Sequence, residues 1–332
     1  MRVQPKEGGK EDELILGVDT GNKMVKTDHF IFHSGIKVKE QRILNGEEGI
    51  CYKGVNYIEN SQRITYLQDK AADERYYILT LLGIAKELER EERNVSMKGI
   101  IPITLLVGLP PGDYGRQKRR FQEYFWRQGK TVHFLYKNRP YQITYTDVKV
   151  YMQAYSAYLL VANRLRLVEY SKVLIIDIGG FTVDYLMVRY GVVQPTQIDS
   201  IPEGIITLYK RINAGIRQHF NLLLDETDID NILFKRNTQY PEKVLRRTFE
   251  IAKDYLVELL GTFLELGIDI RTTVTVFVGG GSILLTDLIE DVWVRYNSQY
   301  FIVDDPQANV KGFKKQYLAE LADSAETRYG KE

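Results

Sequence analysis

Three segments of the chain pair an apolar, strand-like run with a glycine turn, and turns of this kind can hold a phosphate group. They are LILGVDTGNKMVKT at 14–27, VLIIDIGGFTVDYLMV at 173–188 and VTVFVGGGSILL at 274–285. Glycine lets the backbone turn tightly, so that successive N–H groups can face an anion. The order and wide separation of the segments predict that two similar halves close over one phosphate-bearing ligand.

The first segment supplies an aspartate and two lysines around its turn. Asp19, at the end of the apolar run, is expected to hold a hydrated Mg²⁺. Lys23 and Lys26 should point to opposite faces of a strand, so at most one of them is expected to touch phosphate. The residues expected to contact phosphate are Thr20, Gly21, Asn22, Lys23 and Lys26. A plain hairpin turn is the alternative that these residues leave open.

The second segment repeats this logic. Asp177 is expected to face Asp19 across the ligand. The loop expected to bind the phosphates consists of Gly179, Gly180, Phe181 and Thr182, and the Thr182 hydroxyl can act as a donor. Asp184 is more simply explained as a polar residue that faces solvent.

The third segment contains three consecutive glycines, Gly279, Gly280 and Gly281. Such a run loses much conformational entropy on folding, and a base or ribose lying against bare backbone would justify that loss. A tight strand-to-helix connection with Ser282 as the helix N-cap is equally compatible with the sequence. The chain contains no GxxxxGK[ST] phosphate loop.

The overall composition excludes several classes of protein. The 332 residues carry a net charge of +1, so the chain is not built to bind nucleic acid directly. The basic run RQKRRF at 116–121 is best explained as a solvated helix face. The lone Cys51 excludes an internal disulfide framework and fits a reducing cytoplasm. No apolar run approaches the roughly 18 residues needed to cross a bilayer, and the four scattered histidines suggest no metal site.

Apolar periodicity places the motifs on alternating strands and helices. Strands are predicted at 14–19, 23–32, 101–109, 131–135, 141–150, 173–177, 183–189, 192–198 and 274–278, with short strands within 43–58. Helices are predicted at 74–93, 115–128, 152–169, 204–220, 225–232, 242–266, 282–292 and 312–324. The second half repeats the order of the first, which favours duplicated α/β domains with mixed sheets. We expect a flexible tail at 1–13, a first domain at 14–170, a second at 171–310, and a helical segment at 311–332 that packs back on the first domain.

The motifs resemble, in this order, those of the ParM-type bacterial actin-like proteins that segregate plasmids, within the superfamily of actin, heat-shock chaperones and sugar kinases. LGVDTGNKMVK resembles the first phosphate loop, VLIIDIGGFTVD the second, and VFVGGGSILL the adenosine loop. The segments LLVGLPPGDYGRQKRRF, TYTDVKVYMQAYSAY and DDPQANVKGF resemble further parts of the family pattern. The likeness covers nearly the whole chain, residues 14–318.

The resemblance implies an actin-like (ribonuclease H-like) fold with a nucleotide cleft, binding of ATP or GTP with Mg²⁺, and hydrolysis coupled to filament formation. It implies a cytoplasmic bacterial protein whose partners are its own copies and a ParR-like adaptor on centromere-like plasmid DNA, without direct binding to DNA or membrane. The implied metal-binding residues are Asp19 and Asp177, acting largely through water. The implied adenosine contacts are Gly204, Gly279, Gly280, Gly281 and Ser282.

Gln153 falls where several ParM proteins carry a catalytic glutamate and actin carries a glutamine. The resemblance therefore implies that Gln153 and Asp177 are the catalytic residues. A glutamine cannot act as a general base, but it can orient an attacking water molecule. Without the resemblance, Gln153 would be interpreted as a polar surface residue at the start of a helix.

Three alternative functions stay open. One is a chromosomal cytoskeletal actin homologue. A small-molecule kinase of the same fold is less favoured, because it would need a catalytic aspartate between the two phosphate loops, where Gln153 stands. The third is a non-enzymatic, chaperone-like nucleotide switch.

Overall fold

The computed structural model of this protein describes residues 13–44, 46–65, 67, 69–91 and 99–329. The expected tail, apart from Glu13, lies outside these residues, as do Asn45 and the last three positions of the chain. The described chain divides into two compact units. The first takes in the described part of Met1–Leu109, Asp113–Ser156 and Asn309–Glu332, and the second consists of Pro110–Gly112 and Ala157–Ala308.

The first unit is built on a mixed sheet of nine described strands, in the order β3-β2-β1-β7-β9-β8-β5-β6-β4. The strands are β1 (Leu14–Thr20), β2 (Met24–Thr27), β3 (Ile31–His33), β4 (Ile36–Lys39), β5 (Gly49–Tyr52), β6 (Val55–Glu59), β7 (Ile101–Leu109), β8 (Val132–Tyr136) and β9 (Arg139–Met152). The helices that begin before residue 160 are α1 (Glu74–Arg90), α2 (Pro111–Trp126) and α3 (Tyr155–Val161).

The second unit contains a mixed sheet of five described strands, in the order β12-β11-β10-β13-β14. These strands are β10 (Val173–Ile178), β11 (Val183–Arg189), β12 (Val192–Ile201), β13 (Val274–Val278) and β14 (Tyr300–Ile302). The remaining helices are α4 (Ile205–Phe220), α5 (Glu226–Leu233), α6 (Glu242–Glu265), α7 (Gly280–Leu284), α8 (Thr286–Trp293) and α9 (Ala308–Tyr329). The predicted α/β class with mixed sheets is confirmed.

The two sheets share a strand arrangement around the predicted motifs. β1 is antiparallel to β2 and parallel to β7, and β10 is likewise antiparallel to β11 and parallel to β13. Asp19 lies opposite Lys26 across the first antiparallel pair, and Asp177 lies opposite Asp184 across the second. The two motif aspartates therefore occupy corresponding positions in the two units.

Each sheet is covered by helices that bury a broad apolar face. In the first unit α1 begins at the cap Asp73, whose carboxylate accepts the N–H of Arg75 at 2.9 Å. It packs on β1, β2 and β5, with side chains such as Tyr77 and Leu81 in the core. In the second unit α4 packs against α6, and their buried stripes join the apolar face of β10 and β13.

The last helix, α9, packs within the first unit. Val310, Phe313 and Tyr317 lie in one apolar cluster with Leu106 of β7 and Tyr151 of β9. A Cβ atom added at Gly108 would lie 2.2 Å from the Phe313 ring, so only glycine lets the ring approach the strand this closely. Packing of the final helix therefore depends on a residue on the neighbouring strand that has no side chain.

A carboxylate ties several elements of the first unit together. Burial opposes ionisation of Glu48, but hydrogen bonds from Lys86, Tyr136 and Lys137 outweigh it and lower the pKa of Glu48 to about 2. The Lys86 ammonium lies 2.6 Å from the Glu48 carboxylate, and the Tyr136 hydroxyl lies at the same distance. These bonds connect the loop before β5 to α1 and β8.

The helix predicted at 152–169 is present only in part, and its predicted bounds are wrong. β9 continues to Met152, and the N–H of Gln153 still bonds the Leu109 carbonyl at 2.9 Å, which extends the pairing of β7 with β9. Ala154 then adopts a left-handed conformation with φ of 60°, and α3 covers only seven residues. Pairing with a distant strand overrides the local helical periodicity.

Other predicted elements are divided, and some were not predicted. The strand predicted at 23–32 is two strands, β2 and β3, because the chain turns between Thr27 and Phe30 through a 2.9 Å backbone bond. The helix predicted at 282–292 is divided into α7 and α8. The sequence did not predict β4 or β14, and both are short strands at a sheet edge.

The basic run in α2 is largely paired with acidic side chains. Arg116 lies 2.6 Å from Asp113, Arg119 lies 3.0 Å from Glu123, and Arg120 contacts Asp69 at 2.8 Å. Across the described residues, no helix combines the length and apolarity that a membrane span requires.

Candidate functional site

The first motif brings Asp19, Lys26 and Gln153 together inside the first unit. Asp19 is 2% exposed, and its Oδ1 accepts a 2.6 Å hydrogen bond from Nε2 of Gln153. Its Oδ2 lies 3.8 Å from Nζ of Lys26. Because the Gln153 amide donates this bond through its nitrogen, its amide oxygen points away from Oδ1 of Asp19.

Gln153 is neither at the surface nor on a helix, which corrects the interpretation made without the resemblance. It is 7% exposed and directly follows the last residue of β9. Its backbone is fixed by the bond from its N–H to Leu109 on β7. A strand end therefore positions Gln153, as it does Asp19.

The backbone of the first glycine turn is held from its carbonyl side. The Thr20 carbonyl accepts a 2.6 Å bond from Nζ of Lys70, and the Gly21 carbonyl accepts the hydroxyl of Ser34. The peptides of the described residues are all trans, so each N–H points opposite to the preceding C=O. The N–H groups of Gly21 and Asn22 are therefore directed away from Lys70 and Ser34. That is the orientation an anion-binding turn requires.

Two further features surround this turn. Lys70 is 5% exposed and lies 5.5 Å from the ring centroid of Tyr76, whose hydroxyl donates to Asn22 at 3.3 Å. The hydroxyl of Thr20 is buried and has no hydrogen-bond partner among the described residues. Lys23 precedes β2, and its carbonyl accepts the N–H of Ser34 at 3.0 Å.

Lys70 and Ser34 were not predicted as part of this site. Lys70 follows the turn by fifty positions and lies in a short 3-10 helix, Lys70–Ala72. Neither residue forms a recognisable motif with the glycine turn. Only the three-dimensional structure could identify them.

The second glycine turn is held in the same way, but by a helix. The carbonyls of Gly179, Gly180 and Phe181 accept the N–H groups of Ile205, Ile206 and Gly204 at 2.9–3.0 Å. The peptide N–H groups of residues 180–182 therefore point away from α4. These are three of the four residues that the sequence predicted to bind phosphate; the N–H of the fourth, Gly179, donates to the Thr182 carbonyl at 2.9 Å.

Gly204 has a packing role that the sequence did not indicate. A Cβ atom there would lie 2.5 Å from the carbonyl oxygen of Gly180, so glycine is needed for α4 to approach the loop. The predicted contact of Gly204 with adenosine stays a prediction.

Asp177 and Asp184 lie side by side in the second unit. Directly opposite residues of an antiparallel pair share one face of the sheet. Asp177 is 6% exposed and Asp184 is 5% exposed. The interpretation of Asp184 as a solvent-facing residue is therefore wrong. The corresponding pair in the first unit, Asp19 and Lys26, has opposite charges, whereas this pair carries two carboxylates.

The three glycines after β13 have different surroundings. Gly279 has φ of 87°, and a Cβ atom there would lie 2.0 Å from Oδ1 of Asp177. A Cβ atom at Gly281 would lie 2.6 Å from the Ile178 carbonyl oxygen. At Gly280, no described atom lies within 4 Å of the added Cβ. Packing explains two of the glycines, and only Gly280 presents open backbone.

Ser282 is not the N-cap of the following helix. It lies inside α7, and its hydroxyl donates to the Val278 carbonyl at 2.5 Å. Gly279 occupies the N-cap position instead. The alternative interpretation of Ser282 as a helix cap is therefore wrong.

Comparison with known proteins identifies the fold. Residues 10–155 match the family model described as the N-terminal domain of actin-like proteins. The fold is actin-like. The archaeal actin homologue Ta0583 superposes with a TM-score of 0.72 at 17% identity, covering 92% of this chain and 99% of its own. It has also been solved in complex with ADP.

Two other solved structures extend this actin-like comparison. ParM of Bacillus thuringiensis, solved with ATP, gives a TM-score of 0.67 at 12% identity over 94% of this chain and 100% of its own. The Alp12 filament structure gives a TM-score of 0.65 at 15% identity, covering 94% of this chain and 100% of its own. No curated protein matches the chain by sequence. The resemblance to ParM and other bacterial actin-like proteins is confirmed.

Proposed function

We propose that this actin-like protein binds ATP or GTP with Mg²⁺, hydrolyses it and forms filaments whose lifetime depends on that hydrolysis. The observation that carries the proposal is the hydrogen bonding of the two glycine turns. Each is held by its carbonyl oxygens, so that consecutive peptide N–H groups point away from the anchoring residues. Backbone amides arranged in this way bind phosphate oxygens.

Gln153 and Asp19 form the water-positioning part of the proposed site. The hydrogen bond from Nε2 of Gln153 to Asp19 fixes the amide plane. The Gln153 amide oxygen can then accept a hydrogen bond from an attacking water without taking its proton. The rate would come from placement and electrostatic stabilisation rather than from a general base.

We propose that the carboxylates of Asp19 in the first unit and Asp177 in the second are the protein ligands of a hydrated Mg²⁺. This ion keeps several waters and usually takes one or two protein carboxylates together with phosphate oxygens. Among the described residues, no three His, Cys, Asp or Glu side chains form a group that could hold a metal ion. The bound ion supplies positive charge to the phosphate oxygens.

Asp177 and Asp184 lie directly opposite each other, and a bound cation would offset the repulsion between two carboxylates placed in this way. We therefore propose that Asp177 is associated with the metal, and that Lys26 and Gln153 act on water and phosphate beside Asp19.

We further propose that the filament segregates plasmid DNA through a ParR-like adaptor in the bacterial cytoplasm. The likeness to Alp12, which was solved as a filament, supports self-association as the starting point. The net charge of +1 and the paired arginines of α2 favour an indirect link to DNA. A chromosomal cytoskeletal role is the alternative, and the same filament would serve it.

The test is 90° light scattering of the purified protein after addition of Mg-ATP or Mg-GTP, with phosphate release followed in the same sample. We expect scattering to rise and then decay as phosphate appears. Asp177→Ala should abolish phosphate release. Flat scattering, with turnover only after a hydroxylated small molecule is added, would replace this proposal with a kinase. Wild-type turnover in Asp177→Ala would remove Asp177 from the metal site.

A further inference from the structure

The short segment that carries Gln153 is held by the first turns of α9. Oδ1 of Asn309 accepts the N–H of Ala154 at 2.9 Å, and both residues are buried. Two turns later, Nε2 of Gln316 donates to the Ser156 hydroxyl at 2.5 Å. All of these residues belong to the first unit.

The Asn309 bond acts on a residue in an unfavourable conformation. Ala154 has φ of 60°, in the left-handed region that alanine rarely occupies. It lies between Gln153, which still pairs with β7, and Tyr155, which begins α3. The direction in which the chain leaves β9, directly after Gln153, depends on this one residue.

The surrounding packing fixes the distance between α9 and this segment. A Cβ atom at Gly312 would lie 2.1 Å from the Ser156 carbonyl oxygen, and one at Gly108 would lie 3.0 Å from Cγ of Gln153. Gln153 thus has little room on the β7 side. Gln153 is bonded to β7 and Tyr155 begins α3, so a change of conformation at Ala154 would have to be absorbed by the backbone on both sides of it. We expect this adjustment to weaken the 2.6 Å bond from the Gln153 amide to Asp19.

We propose that Asn309 is a positioning residue for Gln153, acting by holding Ala154 in its left-handed conformation. The inference rests on the proposed function, because it assumes that Gln153 orients the water for hydrolysis. Its bond acts on the segment that carries Gln153, so its loss should slow hydrolysis and leave nucleotide binding intact.

The test compares two substitutions of similar size in the full-length protein. Asn309→Leu removes the acceptor, whereas Asn309→Asp keeps an acceptor and places a negative charge in the first turn of α9, where helices favour it. We expect Asn309→Leu to lower kcat for phosphate release by roughly 5- to 30-fold. This factor corresponds to the free-energy cost of the left-handed conformation for a residue other than glycine. Kd for Mg-ATP or Mg-GTP should not change, and Asn309→Asp should stay close to the wild type.

A rescue distinguishes positioning from a general loss of stability. Ala154→Gly removes the penalty for the left-handed conformation, so adding it to Asn309→Leu should restore most of the lost kcat. Lys314→Ala is the matched control on α9. It removes a 3.0 Å ion pair with Asp28 and should leave kcat unchanged.

The outcomes separate this inference from the proposed function. A wild-type protein without nucleotide hydrolysis overturns both. An active wild type with unchanged kcat in Asn309→Leu overturns only the role of Asn309, and so does a loss that Ala154→Gly fails to rescue. If Asn309→Leu does not fold, an Asn309→Asp variant with strongly reduced kcat would equally contradict the role of the acceptor.

Discussion

The three consecutive glycines of the second unit should respond differently to alanine. At Gly279, φ of 87° with ψ of 163° lies in a region that is essentially confined to glycine, and leaving it costs about 1–3 kcal/mol. The new Cβ would also lie 2.0 Å from Oδ1 of Asp177, and overpacking of this kind costs about 1–3 kcal/mol. Gly279→Ala should therefore lower the free energy of unfolding of the second unit by about 2–6 kcal/mol.

Gly280→Ala should behave in the opposite way. Its φ lies outside the left-handed region and no described atom lies within 4 Å of the added Cβ. A replacement of this type stabilises a protein by about 0.4–1 kcal/mol. If the nucleoside lies against Gly280, however, the methyl group overpacks the ligand by about 1–3 kcal/mol, which weakens Kd roughly 5- to 150-fold.

The assay is urea unfolding followed by fluorescence of Trp293, which is buried in the second unit. Trp126→Phe removes the other of the two tryptophans, so the signal reports the second unit alone. Nucleotide affinity is measured on the same proteins by calorimetry. Destabilisation by Gly280→Ala comparable to that by Gly279→Ala would refute the packing argument. Wild-type affinity in Gly280→Ala would remove Gly280 from the adenosine site.

Three other perturbations test the first unit. Gln153→Ala should still bind nucleotide and polymerise, but it should release phosphate roughly 100-fold more slowly. Its filaments should therefore last longer. Unchanged disassembly kinetics would exclude Gln153 from the mechanism. Lys70→Met removes a charged donor worth about 1.5–3 kcal/mol, so nucleotide titration should show weaker binding, and wild-type affinity would contradict the anchoring role. Because the folded pKa of Glu48 is about 2 and its ordinary value is 4.5, its stabilisation is present above pH 4.5 and is lost as the pH falls toward 2. Urea midpoints of wild type and Glu48→Gln should converge over that interval, and a constant difference would contradict the ionic role of Glu48.

The parts of the fold that the sequence predicted are those that local residues decide. β7 and β13 have the predicted bounds, because each is a continuous apolar run that ends at Pro110 or at the glycines. Asp19 and Asp177 were placed at strand ends for the same reason. An apolar run followed by a turn contains its own boundary, so no distant contact is needed to locate it.

The errors arise where a distant residue decides the structure. The residues after Met152 have the apolar spacing of a helix, but the Leu109 carbonyl on β7 draws Gln153 into the sheet. The burial of Asp184 follows from its register with Asp177, which periodicity cannot reveal. Asn309 meets Ala154 across 155 positions of sequence. None of these relationships leaves a local pattern.

The two glycine turns reach the same backbone orientation by different means, and this difference should govern how each unit tolerates substitution. In the first unit, the side chains of Lys70 and Ser34 hold the carbonyls of the turn. In the second, the backbone of α4 holds them, through an approach that only glycine at 204 permits. Single polar-to-apolar substitutions should therefore loosen the first turn. The second turn should resist side-chain changes and fail when a Cβ atom is added at Gly204.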